Sequence, residues 1–138
     1  MAELRAVTPT VVAVLASASA CDNVAVPAGA TLCRVAPREL LAIGALAASV
    51  VNVDEPGAIV EDVTDGWAAF ELVGDDAAEA FARLSELELP DDGFVQGEVA
   101  RIGAKILVAP GRLTILVPAR LGVFLEERIR IDCAEVLV

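Results

Sequence analysis

The sequence predicts an α+β chain, and three observations carry that expectation. Short apolar segments of strand length recur along it, two segments repeat their apolar residues at helical spacing, and turn residues separate the two kinds. With 138 residues, the chain has the length of one domain, 1–138, able to bury a core without disulfides or metals.

The elements follow in order. Val11 to Cys21 reads VVAVLASASAC, which has the apolar core and small-residue end of a secretion signal. The preceding MAELR carries one acid and one base instead of a positive segment, and the run is far short of the roughly 20 residues a membrane span needs. It is expected to be a buried strand in a cytoplasmic protein. Thr31 to Val35 is a second strand, and Arg38 to Val51 is either a strand followed by a helix or one Ala-rich helix. The Glu55-Pro56-Gly57 turn is the expected seam between two halves, about 1–57 and 58–138. Duplication of one module is suggested by the echo between Val35-Ala-Pro-Arg38 and Val117-Pro-Ala-Arg120.

The second half is more legible. Trp67 to Val73 reads as a strand with Ala68, Phe70 and Leu72 on one face, and Gly74 turns the chain. Asp75 and Asp76 open a helix, with Asp76 and Glu79 at capping-box spacing. Its buried stripe is Ala77, Ala80, Phe81, Leu84 and Leu87, and Pro90 ends it. From Val99 to Val108 the chain alternates as one strand, with Ala100, Ile102, Ala104, Ile106 and Val108 inward and Arg101 and Lys105 outward. Pro110 and Gly111 suit the centre of a type II turn, which leads into a strand from Leu113 to Val117. Pro118 begins a second helix with Leu121, Phe124, Leu125 and Ile129 as its stripe, and Cys133 to Val138 closes as a strand. The resulting order, β-α-β-β-α-β, is the ferredoxin-like module.

Composition narrows the function. Hydrophobic residues make up 57% of the chain but aromatics only 4%, so small aliphatic side chains must fill the core. That apolar content also raises the prospect of a surface covered by another subunit. A net charge of −11 repels phosphate backbones and anionic lipid, so neither nucleic acid nor membrane is an expected partner. Between Asp54 and Glu98 fourteen acids face one base, Arg83, whereas from Val99 to Ile131 six bases face two acids, a local net of +4. Such a division either solvates two faces or orients the molecule on a partner.

Chemistry is marked by absences. With no His and no Tyr, histidine triads and mixed zinc sites are excluded, and no Gly-rich phosphate-binding pattern occurs. Cys21, Cys33 and Cys133 show no paired spacing and read as buried free thiols. Asp75/Asp76 and Asp91/Asp92 have no third ligand at suggestive spacing, so no metal or catalytic role is assigned.

The segment Val60 to Leu84 resembles a strand-Gly-x-Asp-Ala-helix element of the glycine-cleavage T-protein, or folate-binding-domain, superfamily. Within it the chain is most similar to the gamma subunit of heterotetrameric sarcosine oxidase. Leu87-Glu-Leu89, Phe94-Val-Gln-Gly97, Val117-Pro-Ala-Arg120 and Leu32 to Gly44 match further turns and apolar registers of that family. Ser85-Glu86 stands where the family carries Cys-Pro, and Leu40 where it carries Trp.

The resemblance implies a T-protein-like fold and an accessory, non-catalytic subunit of an amine-oxidising flavoenzyme complex. Its partners would be larger catalytic subunits, and this chain itself would bind no cofactor. Arg112 and Arg120 are then the expected rim of a partner interface, whose reversal to Glu should slow association. The alternative is a free-standing folate-binding or one-carbon-transfer protein, with Asp65 engaging the pterin and Arg101, Lys105 and Arg112 holding the glutamate tail. A third reading is a homo-oligomer that uses the fold only for assembly. A deep, part-aromatic cavity would favour folate, and a filled centre a structural role.

Overall fold

Two antiparallel sheets hold most of the regular structure in the computed structural model, which describes all residues from Met1 to Val138. In chain order the first elements are β1 (Glu3–Val7), β2 (Val11–Leu15), α1 (Ala18–Cys21), β3 (Thr31–Ala36), β4 (Glu39–Ile43) and β5 (Ile59–Asp62). There follow β6 (Trp67–Val73), α2 (Ala77–Ala82), β7 (Gly93–Val99), β8 (Ile102–Ala109), β9 (Arg112–Pro118) and α3 (Gly122–Asp132). The α+β class is as expected. The chain forms two compact units, one of Pro9–Asp65 and one of Met1–Thr8 with Gly66–Val138. The chain thus passes between units at 8/9 and 65/66, and not at the Glu55-Pro56-Gly57 turn, because β5 pairs with β2.

In the unit Pro9–Asp65 the strand order is β3-β4-β2-β5. Strands β2 and β4 are almost wholly buried, so VVAVL and LLAI read as continuous apolar runs without alternation. Val12, Val14, Leu40 and Ala42 pack with Cys21, Val24 and Ala45 on one side of the sheet. The expected single strand 11–21 is only half right. Ser17 accepts the Ala20 N–H at 3.2 Å and so caps α1, a single helical turn. The 38–51 stretch is a strand followed by one 3₁₀ turn at Ala47–Ser49. Arg34 ties the turns together, donating to Asp22 at 2.8 Å, to the Ala18 carbonyl at 3.1 Å and to the Pro37 carbonyl at 2.7 Å.

In the other unit the order is β1-β6-β9-β8-β7, with every pairing antiparallel. Phe70, Leu72, Ile102, Ala104, Ile106, Val108, Leu113, Ile115 and Val117 form one buried face. Ala77, Ala80 and Phe81 of α2 and Leu125 and Ile129 of α3 cover it. No buried side-chain polar atom lacks a partner, and all three cysteines are buried.

Here several expectations are corrected. The segment 99–108 is not one strand. Ala100 and Arg101 adopt φ of +50° and +67°, and Val99 pairs with Ile102, so the chain folds back as a β7–β8 hairpin. Only Gly, Asn or Asp at those positions would have announced such a turn. The inward register of Ile102, Ala104, Ile106 and Val108 holds nonetheless.

The helix after Gly74 ends at Ala82 instead of running on to Pro90. Ser85 explains the early end: its hydroxyl donates to the Glu98 carbonyl at 2.6 Å and accepts the Leu87 N–H at 3.1 Å. Asp76 makes no capping hydrogen bond, and its carboxylate meets the Met1 amino group at 3.1 Å.

In the last helix, one 3₁₀ turn at Ala119–Leu121 precedes α3, and Phe124 lies outside the buried stripe. A Cβ on Gly122 would sit 2.7 Å from that of Ala68, so the helix approaches β6 on the Gly122, Leu125 and Ile129 side. Finally, residues 133–138 form turns with a single bridge from Leu137 to Ala2, and β1 supplies the edge strand beside β6. The echoed tetrapeptides also differ in structure, one turning from β3 into β4 and the other leading from β9 into a helix.

Candidate partner-binding surface

The three bases assigned to a folate site are not gathered. Asp65 lies exposed in the 3₁₀ turn Thr64–Gly66, within the unit Pro9–Asp65. Its neighbour Asp62 accepts the Thr64 N–H at 2.9 Å, which holds that carboxyl below its usual range. The bases all belong to the other unit. Arg101 sits at the β7–β8 turn and Arg112 at the β8–β9 turn, so the length of β8 separates them, about 25 Å at strand rise. Between them Lys105 donates to Gln96 at 2.6 Å. Three bases spread along a strand do not converge on one glutamate tail.

Of the two expected rim residues, Arg112 already pairs with Glu71 at 3.2 Å. Arg120 is exposed in the turn before α3 and makes no ion pair. No group of three or more His, Cys, Asp or Glu side chains is placed to hold a metal ion. Cys133, the most buried thiol, donates to the Ala80 carbonyl at 3.2 Å, and burial raises its pKa above the ordinary thiol value. It is a packed core residue, inert as a nucleophile. No helix is long and apolar enough to cross a membrane.

What the structure does assemble is a surface on α3. Val123, Phe124 and Ile131 are 73%, 49% and 65% exposed. Positions 123, 127 and 131 share one line of the helix, and Phe124 lies beside it. Next to Phe124 an open groove of about 480 Å³ is lined by Arg83, Leu84, Ala100, Arg101, Arg128 and Asp132. A second open groove of about 660 Å³ shares Arg83, Leu84 and Arg101 with it and continues along Ser85, Glu86, Leu87 and Glu98.

The arginines differ in how they are held. Arg83 pairs with Glu79 at 3.4 Å and Glu135 at 3.3 Å. Arg128 donates to both Asp132 oxygens at 2.7 Å. Arg101 makes no ion pair and projects from a backbone position that disfavours any side chain. Sequence reading missed this surface because it placed Phe124 in the core and Arg101 in mid-strand. One signal was present: Val123 and Ile131, eight apart, put apolar residues on a second face of α3, either side of Glu127.

A scan against protein-family models finds no match, and a sequence search of curated proteins finds none. Structural comparison finds a chain of the heterotetrameric sarcosine oxidase from Corynebacterium sp. U-96, solved in complex with pyrrole 2-carboxylate. It superposes with a TM-score of 0.79 at 17% identity, over 97% of this chain and 84% of that one. The two coverages make that chain only modestly longer than this one. The shared fold extends over nearly the whole sequence. E. coli aspartokinase III, in complex with lysine and aspartate, has a TM-score of 0.39 at 15% identity over 95% of this chain and 32% of its own.

Proposed function

We propose that this chain is a non-catalytic accessory subunit, of the gamma kind, in a sarcosine-oxidase-type amine-oxidising flavoenzyme complex. The observation that carries the reading is the end-to-end likeness to one small chain of a heterotetrameric oxidase. The sequence supports it from the other side. A chain with no His, no Tyr and no Gly-rich phosphate loop can build no histidine-based proton relay and carries no usual dinucleotide-binding pattern. In this role the chain performs no bond chemistry. It presents a rigid surface that stabilises or positions a larger catalytic subunit in the cytoplasm, and flavin and substrate are held by that subunit. Arg120, with Arg112 beside Glu71, belongs to the rim of the contact.

The visible absorption spectrum of the purified chain tests the reading. The expected protein is colourless, with no flavin band and no amine oxidation on its own. Stoichiometric bound flavin would contradict it.

A further inference from the structure

The outer face of α3 exposes three large apolar side chains around the charged Glu127. Val123, Phe124 and Ile131 are more exposed than a folded chain gains from leaving them, while Leu125 and Ile129 on the inner face are fully buried. Beside Phe124 lie three arginines and one aspartate, in a molecule whose net charge is −11. Aromatic and arginine side chains set together in an apolar surround are the composition of interface centres. Arg101 is the arginine there without a carboxylate, and it stands on a φ of +67° that glycine would adopt without strain. Its guanidinium is held out at the end of the β7–β8 hairpin.

We infer that the α3 outer face and the Arg101 turn form one docking surface for a different, larger protein chain, which sets an apolar side chain on Phe124 and a carboxylate on Arg101. The inference rests on the accessory-subunit reading and adds the surface through which that subunit binds. The charges argue against a second copy as occupant. Two molecules of net charge −11 repel. A partner carboxylate instead completes a charge-assisted fork with Arg101.

The test uses the tagged full chain in its source cells, with the co-purifying chain identified by mass, isolated, and its binding measured. Three variants are compared with wild type: Val123→Asp with Ile131→Asp, Arg101→Glu, and Ile59→Asp as a control on another exposed apolar residue. All four positions are at the surface, and unchanged thermal unfolding verifies that each variant folds. The double variant is expected to weaken binding by tenfold or more, on the order of an interface-centre loss. Arg101→Glu is expected to slow association about tenfold at low salt, a penalty that shrinks as salt screens it. Ile59→Asp is expected to bind as wild type.

Equal binding of all variants to a larger oxidase chain overturns this surface and leaves the accessory-subunit reading standing. Recovery of this polypeptide alone, in an oligomer that the double variant dissociates, overturns both. It then makes the face a contact between copies.

Discussion

Phe81→Ala is expected to remove about 3–5 kcal/mol of stability, a large part of the roughly 5–15 kcal/mol that holds such a chain folded. Phe81 is the largest fully buried side chain and is 1% exposed. It comes from α2, which is six residues long. So short a helix has almost no stability of its own, and its place depends on Ala77, Ala80 and Phe81 entering the core beneath it. Truncation leaves a cavity against strands β6 and β9 that their hydrogen-bonded ladder prevents from closing. Phe124→Ala, on a half-exposed ring, should cost about 1 kcal/mol or less. Thermal or urea unfolding of the two variants gives the comparison. Equal losses would mean that α2 does not seat Phe81 as described.

Gly74→Ala is expected to destabilise by about 2–4 kcal/mol, from two causes that add. Gly74 has φ +126°, a conformation side chains rarely adopt. A Cβ there would also lie 2.6 Å from the Met1 carbonyl oxygen, a backbone atom that no rotamer change can move. The residue sits where β6 ends, and its N–H donates to the Gly111 carbonyl at 2.9 Å, so the strain falls on the β8–β9 turn as well. Gly57→Ala is the matched control, because Gly57 has φ +84° and nothing within 4 Å of the added atom. It should lose only about 1 kcal/mol of conformational preference. If both variants lost the same amount, the close approach of residue 1 to residue 74 would be refuted.

Legibility in the sequence followed the physics of burial. Strands β6 and β9 were plain because each has apolar side chains concentrated on one face, and Gly74 and Gly111 marked real turns. The β7–β8 hairpin was hidden because Ala100 is apolar and in phase with Ile102, Ala104 and Ile106. The apolar alternation therefore runs through a reversal at Ala100 and Arg101 that has no Gly or Asn to mark it. The early end of α2 depends on hydrogen bonds from Ser85 to residues 87 and 98, one of them across thirteen positions, beyond any local pattern. The edge strand next to β6 comes from residues 3–7, where ELRAV shows little periodicity and only long-range pairing gives it a role.

The surface was half legible. Its basic, apolar stretch 99–131 stood out by charge. Its anchors did not, since Phe124 passes for a core residue until Gly122 is seen to set the rotation of the helix. The folate alternative depended on bases close in sequence, and the length of β8 stands between Arg101 and Arg112.

The central claim is that this chain works as one part of a larger flavoenzyme, and its native assembly tests that most directly. The measurement is size-exclusion chromatography of the tagged chain from source-cell extract, with protein mass and flavin absorbance followed together. The account predicts that the 14.2 kDa chain elutes in a much larger complex, with a flavin-bearing oxidase chain at fixed stoichiometry. Elution of this polypeptide by itself, as a monomer or an oligomer of copies without flavin, would contradict it.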